Sequence, residues 1–203
     1  EGLLKAKQDY ILNLDSDQIV SEKLLEKLNN VRNDMAIIAE KSYNNNLIGK
    51  LMDYKRDYLF KYSKSHPSPF IPVIPRFYKK KLALDAFESI TNFELKNIIQ
   101  HEDSLLYYEA FKLSKNIGFV DDYLYNIDPP LNLFLKKSYT YGSNMRTALK
   151  SNNVLNEHKQ FFRKLDEYSF LFEMKIGINK GIIINFIKGL PYFIGYLKSG
   201  ELK

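Results

Sequence analysis

The sequence predicts an α/β fold in which a mostly parallel sheet is followed by a helical C-terminal extension. Short apolar runs alternate with amphipathic helical patterns up to residue 128, which is typical of parallel strands connected by helices. After Pro129-Pro130 every pattern has helical periodicity. We therefore predict an α/β part over residues 1–128 and a helical extension over residues 129–203.

The composition is that of a folded, basic protein. Of its 203 residues, 45% are hydrophobic and 27% are charged, which allows a sizeable core. The absence of cysteine excludes disulfides and thiolate metal sites. The net charge of +6 favours a phosphate-bearing ligand or an acidic membrane, although it also suits an ordinary basic surface. No nucleic-acid partner is expected, because the basic residues are scattered and no recognition motif occurs.

Four short apolar runs, each bounded by polar or turn-forming residues, are predicted to be strands. They cover residues 10–14, 35–39, 70–75 and 119–127. The run over 70–75 contains two prolines that cannot donate a ladder hydrogen bond, so we expect it at a sheet edge. Helices are expected between the strands. Ser21 is predicted to cap one of them, and Gly118 to end the helix that begins at Glu102.

Two aspartates, Asp15 and Asp17, follow the first predicted strand. Ligands of open α/β sheets bind beyond the carboxyl ends of strands. Carboxylate oxygens suit Mg²⁺ or Mn²⁺, which usually share the phosphates of a bound ligand. The pair is therefore a candidate metal and cofactor site, although it also suits the plain end of a strand before a helix.

A second acidic pair, Glu102-Asp103, begins a predicted helix. Acidic side chains favour a helix N-terminus because they interact with its dipole and its free amide groups. A carboxylate in this place can also serve as a general base toward an acceptor hydroxyl. The sequence alone leaves both interpretations open.

Taken in order, these motifs resemble the family 2 inverting glycosyltransferases of the GT-A fold. The resemblance rests on the run into Asp15-Ser16-Asp17, on His101-Glu102-Asp103 about ninety residues later, and on two segments near the C-terminus. Those two segments are Lys137-Ser138-Tyr139-Thr140-Tyr141-Gly142 with Arg146, and the Gly-rich apolar stretch over 189–200. Lipid- and polysaccharide-directed members have similar segments. Gln8 and Asn13 depart from the family's usual glycine and apolar residue.

The resemblance implies that the chain moves a sugar from a nucleotide-diphosphate-sugar to a hydroxyl of a glycan or lipid-linked acceptor, with inversion. It implies that Asp103 is the catalytic base and that Asp17 holds Mn²⁺ or Mg²⁺. Asp15 would contact the ribose or a metal-bound water, and Glu102 would orient the acceptor. Family members begin with strand–helix–strand elements for the donor nucleotide that are not in this sequence, so we expect further residues upstream or a partner that supplies them.

Four other residues are candidate substrate contacts. Arg76 can attract phosphates, Tyr139 and Tyr141 can stack on a sugar, and Arg146 belongs to the segment shared with lipid-directed members. A solvated basic face and core packing are the alternatives for these side chains. His101 is expected to be structural.

An apolar stripe at helical spacing marks the C-terminal extension. It consists of Ile182, Phe186, Leu190, Phe193 and Leu197. We expect it to lie on a membrane surface without spanning it, or to pack on the domain or on a second copy in a homodimer. The resulting expectation is a cytoplasmic enzyme, peripheral at the inner face of the cell membrane. A non-catalytic membrane-surface or scaffold protein that retains the transferase fold is the alternative.

Overall fold

A computed structural model of the protein describes residues 2–98, 101–176 and 182–198. The chain forms two compact units. The first consists of Glu1–Ser89 and Leu106–Asp128, and the second of Ile90–Leu105 and Pro129–Lys203. The last boundary between the units lies before Pro129, where the sequence places the start of the helical extension. Residues 90–105 belong to the same unit as the C-terminal helices.

The first unit is an α/β layer built on a mixed five-stranded sheet in the order β1-β4-β3-β5-β2. The strands are β1 (Tyr10–Leu12), β2 (Gln18–Val20), β3 (Met35–Ser42), β4 (Phe77–Lys79) and β5 (Ile117–Asn126). Among them only β3 and β5 pair in parallel, and the other three pairings are antiparallel. The α/β class is thus confirmed, and the expectation of a mostly parallel sheet is wrong. The difference arises because β4 runs antiparallel to both of its neighbours, β1 and β3, and because β2 runs antiparallel to β5.

The central strand β3 is buried on both faces. Residues Met35 to Ala39 are all less than 9% exposed, as a continuous apolar run predicts. One face packs with α2 (Leu24–Leu28), and the other packs with α3 (Leu47–Ser65), α4 (Lys80–Glu88) and α6 (Glu102–Leu113).

Three local predictions about this unit are wrong. Residues 70–75 form no strand, because their prolines cannot pair, and the short strand β4 follows them instead. Ser21 does not cap α2, because its hydroxyl donates to Asp122 Oδ1 over 2.7 Å. Gly118 does not end α6, because it lies in β5, where an added Cβ would be 2.6 Å from Asn33 Oδ1.

The second unit contains no strand among its described residues, as was predicted for residues 129–203, whereas its helix over residues 92–97 was not predicted. Its helices are α5 (Asn92–Asn97), α7 (Leu131–Lys150), α8 (Asn156–Lys175), a π-helical turn (Asn185–Gly189) and α9 (Leu190–Lys198). A capping box formed by Thr91 and Glu94 begins α5. The Glu94 carboxylate also accepts from the Leu155 amide over 2.9 Å and lies 2.6 Å from His158 Nδ1. This buried carboxylate therefore ties the start of α5 to the start of α8.

Helices α7 and α9 cross at two glycines. A Cβ added to Gly142 would lie 1.9 Å from the Tyr192 carbonyl oxygen, and one added to Gly195 would lie 2.0 Å from the Tyr139 carbonyl oxygen. Only a residue without a side chain allows this approach of one helix backbone to the other. Over the described parts of the chain, no helix has both the length and the apolar character that crossing a bilayer requires.

Candidate functional site

The Asp-Ser-Asp segment connects the two edge strands of the sheet. β1 and β2 lie at opposite edges, yet only residues 13–17 link them. A flat sheet of this width would separate its edge strands by about 19 Å. The link also contains a turn, closed by the Gln18 amide donating to the Asp15 carbonyl over 3.1 Å. The sheet is therefore curled, and the two aspartates lie in the link between its two edge strands.

Both ends of this link are attached to the sheet by the backbone. The Asn13 amide donates to the Arg76 carbonyl over 2.7 Å, beside β4. The Ile127 amide, just after β5, donates to the Asp17 carbonyl over 2.8 Å. The segment is thus held beside the carboxyl end of β5, and a ligand site there stays a prediction.

Arg76 positions the Asp15 side chain. Its Nη2 donates to Asp15 Oδ2 over 2.8 Å, and its Nε donates to Glu40 Oε1 over 3.4 Å. The Arg76 side chain is 8% exposed, whereas that of Asp15 is 47% exposed. A buried guanidinium therefore presents a half-exposed carboxylate to solvent.

Glu40 extends this pairing to a second arginine. Its Oε2 lies 3.8 Å from Arg56 Nε, and Arg56 binds Asp128 through two parallel bonds of 2.9 Å and 2.8 Å. Ser42 accepts from Arg56 Nη1 over 2.8 Å and donates to Asp128. We call the set Asp15, Arg76, Glu40, Arg56 and Asp128 the ion-pair chain. It runs from the Asp-Ser-Asp segment to the end of β5.

Two amide side chains support the ion-pair chain. Asn126 Nδ2 donates to Glu40 Oε2 over 3.1 Å, and Gln18 Nε2 donates to Asn126 Oδ1 over 3.1 Å. The Gln18 Oε1 in turn accepts from the Asp15 amide over 3.1 Å. The geometry of the aspartate segment is therefore fixed by side chains from β2, β3 and β5.

The donor set around Asp15 and Asp17 suits a hard cation only in part. The two carboxylates are the correct kind of ligand for Mg²⁺ or Mn²⁺. However, the described residues contain no group of three or more His, Asp or Glu side chains that could hold a metal ion, and Asp15 already accepts from Arg76. Any divalent ion here would need waters and a ligand's phosphates to complete its shell, which is the usual arrangement for Mg²⁺.

Glu102 and Asp103 occupy the first turn of α6, as predicted. Glu102 is exposed and Asp103 is half-buried. Both belong to the second unit, whereas Asp15 and Asp17 belong to the first. That Asp103 faces the same cleft as Asp17 therefore stays a prediction.

His101 precedes this acidic pair and is packed among aromatic rings. Its ring centroid is 6.2 Å from that of Tyr141 and 5.9 Å from that of Phe162. Burial, aided by the positive charge of Lys188, lowers the pKa of His101 to about 4. Its Nε2 has no hydrogen-bond partner within the described residues. The imidazole is therefore neutral near pH 7, as a packing role requires.

The remaining candidate substrate residues lie on α7, where their contacts are with α9 or with His101. Arg146 Nη1 donates to the Tyr196 carbonyl over 2.8 Å and also bonds the Leu197 carbonyl. It thereby caps the end of α9. The backbone of Tyr139 lies against Gly195. These contacts show a structural role for Arg146, and the predicted substrate contacts of Tyr139, Tyr141 and Arg146 stay predictions.

Three members of the ion-pair chain were not expected from the sequence. Glu40 and Arg56 belong to ordinary strand and helix patterns, and Asp128 precedes a proline pair. The charged Glu40 directly after the apolar run of β3 is the one signal that could have indicated them, because ligands and polar side chains collect where a buried strand ends.

Comparison with protein-family models, with curated proteins and with solved structures finds no match to this chain.

Proposed function

We propose that the chain acts as a glycosyltransferase that uses a nucleotide-diphosphate-sugar. The observation that supports this proposal is the placement of Asp15-Ser16-Asp17 in the link between the two edge strands, with Asp15 held by Arg76 at 2.8 Å. The half-exposed Asp15 carboxylate beside a fixed guanidinium, two residues from Asp17, suits a diphosphate that arrives with its divalent ion. As part of the same proposal, the α/β unit is a GT-A-like domain.

In the proposed reaction, an acceptor hydroxyl oxygen attacks the anomeric carbon of the donor sugar. The bond from that carbon to the diphosphate oxygen breaks, so the configuration inverts. Asp103 takes the proton of the hydroxyl, and Glu102 orients the acceptor. Asp17 would hold the Mn²⁺ or Mg²⁺ that accompanies the donor, and this ion would supply charge stabilisation for the departing diphosphate. The acceptor is a glycan or a lipid-linked hydroxyl.

Calorimetry of Mn²⁺ binding tests the metal assignment. Because Asp15 and Asp17 leave most of the shell to other ligands, we expect Mn²⁺ to bind only together with a nucleoside diphosphate. The Asp17→Ala variant should lose this binding. Asp57→Ala is the matched control, because Asp57 is an exposed aspartate paired with Lys61 on α3. Equal Mn²⁺ affinity without nucleotide, or in Asp17→Ala, would contradict the assignment.

A non-catalytic protein that retains the fold is the second candidate. The observation that favours it is that Asp15 already has a charged partner and that the described residues lack a three-ligand metal group. Under this alternative, no nucleoside diphosphate would change Mn²⁺ binding, and no donor would be hydrolysed.

A further inference from the structure

The C-terminal helical segment exposes a continuous row of large apolar side chains. The exposed fraction of each is between 45% and 68%. We call this row the C-terminal apolar face: Ile182, Ile183, Phe186, Leu190, Phe193 and Leu197. The spacing of three and four residues places such side chains on one side of a helix. Single exposed apolar residues are common on proteins, whereas a contiguous row marks an interaction surface.

The opposite side of the same segment is anchored within the second unit. Ile184 is 3% exposed, and Gly195 packs against the backbone of α7. The Tyr192 hydroxyl donates to Asp166 Oδ2 of α8 over 2.7 Å. These contacts fix the orientation of α9 about its own axis. The fold itself therefore keeps the apolar face exposed.

The end of α8 adds apolar area beside this face. Phe170, Leu171 and Met174 are 60%, 47% and 53% exposed. Met174 lies next to the π-helical turn, because Asn185 Nδ2 is 3.4 Å from its sulfur. The exposed apolar surface therefore extends from α9 across the turn to the end of α8.

The net charge of the protein is concentrated in the same part of the chain. Residues 129–203 contain twelve Lys and Arg against five Asp and Glu, whereas residues 1–128 contain eighteen against nineteen. Of these basic residues, Lys175 and Lys198 are exposed near the apolar face, at the ends of α8 and α9. An apolar row with lysines beside it matches the two components of an anionic phospholipid surface, acyl chains and phosphates.

We propose that the C-terminal apolar face docks on an anionic phospholipid bilayer, with α9 lying in the interface. Phe186 and Phe193 enter the boundary between headgroups and acyl chains, and Lys175 and Lys198 contact lipid phosphates. The nine-residue helix α9 has a rise of about 14 Å, which suits a position parallel to the surface. The proposal stands on this surface and its charge, and it does not depend on the proposed glycosyl transfer.

Co-sedimentation of the full chain with vesicles tests this proposal. One set of vesicles contains phosphatidylcholine alone, and the other contains equal parts of phosphatidylcholine and phosphatidylglycerol. We expect binding to the anionic vesicles that weakens with salt, and little binding to the neutral ones. Phe186→Ser with Phe193→Ser should lower the partition coefficient by about ten-fold or more, because each lost phenylalanine removes a large buried apolar area. Lys175→Gln with Lys198→Gln should lower it about five-fold or more.

The matched control is Leu25→Ser with Leu47→Ser, which removes apolar side chains of similar exposure, 60% and 68%, from the first unit. This control should bind anionic vesicles as the unmodified protein does. Equal binding to both vesicle types would overturn the proposal, and so would equal binding by the phenylalanine variant. A concentration-dependent dimer that the phenylalanine variant abolishes, without any lipid binding, would instead assign the face to a second copy of the chain.

Discussion

Arg76 and Asp15 form an ion pair of 2.8 Å in which the guanidinium is buried and the carboxylate is half exposed. The same guanidinium also contacts Glu40 over 3.4 Å. Arg76 therefore has two functions in the first unit: it compensates the charge of Glu40, and it holds Asp15 at the end of the sheet.

Replacing this arginine should cost stability. Arg76→Met keeps much of the apolar stem but leaves Glu40 with only its contacts to Arg56 and Asn126. We expect the free energy of unfolding to fall by about 2–3 kcal/mol. This is less than the full cost of breaking a buried ion pair, because Glu40 keeps its contacts to Arg56 and Asn126. Lys61→Met, which breaks the exposed pair with Asp57, should cost less than about 1 kcal/mol. Urea denaturation measures both, and an equal effect of the two variants would refute a structural role for Arg76.

The glycine crossing of α7 and α9 gives a second prediction. Gly142→Ala places a methyl group 1.9 Å from the Tyr192 carbonyl oxygen, so the helices must separate, at a cost of about 1–3 kcal/mol. Gly189→Ala is the control, because its nearest neighbour would be 3.9 Å away. Alanine should stabilise that position by up to about 1 kcal/mol through helix propensity.

Hydrogen exchange reports this crossing directly. We expect faster amide exchange over residues 190–198 in Gly142→Ala, and unchanged or slower exchange in Gly189→Ala. Similar exchange in both variants would show that the close approach of the two backbones is not needed to hold α9.

Two buried groups of the second unit should make stability depend on pH in opposite directions. Burial raises the pKa of Asp166 to about 6, although its Tyr192 bond and Lys188 lower it. The native state therefore holds a proton that the unfolded chain releases above pH 4, and stability falls as pH rises from about 4 to 6. His101, with its pKa lowered to about 4, binds a proton more readily when unfolded, so stability rises with pH from about 4 to 6.5.

The unmodified protein should therefore show little net pH dependence between about pH 4 and 6 from these two groups. Asp166→Asn removes one of them, and its stability should rise steeply with pH over this range. His101→Phe removes the other, and its stability should fall with pH. Thermal unfolding across this range checks both signs. Parallel profiles for the two variants would show that at least one of the assigned pKa directions is wrong.

The parts of the fold that could be predicted are those with long, consistent patterns. β3 was expected because its apolar run is uninterrupted, and β5 because apolar residues flank Asp121-Asp122 on both sides. α3 was expected because its pattern covers many turns. Strand direction was not predictable, because β1, β2 and β4 have three residues each and their pairing is decided by tertiary contacts. The capping box at Thr91 and Glu94, which begins the unpredicted helix α5, is a signal that the sequence does contain.

Within the candidate site, only the residues that form a local motif were predictable. Asp15 and Asp17 are two residues apart and follow an apolar run, so their pattern is visible in the sequence. Glu40 and Asp128 join the same ion-pair chain across 88 residues, and no local pattern indicates such a contact. Arg76 was predicted to attract phosphates because of its positive charge. In the structure this charge pairs with Asp15 and Glu40.

The proposed base gives a kinetic prediction. Asp103→Asn keeps the shape of the side chain but cannot take a proton, so turnover should fall about 10²–10⁴-fold. Glu102→Gln should have a smaller effect, since Glu102 is the exposed member of the pair. Donor affinity should be unchanged in both variants, because the base contacts the acceptor. A loss of donor affinity that matches the loss of turnover would remove Asp103 from the role of base.

The central claim is tested most directly by measuring nucleoside diphosphate release from a panel of nucleotide-sugars. The measurement uses the protein with Mn²⁺, the Asp17→Asn variant, and Asp57→Asn as the control. We predict release from at least one donor class, its loss in Asp17→Asn, and full retention in Asp57→Asn. A folded protein that releases no nucleoside diphosphate from any donor, or that does so equally well without the Asp17 carboxylate, would contradict the assignment of this chain as a glycosyltransferase.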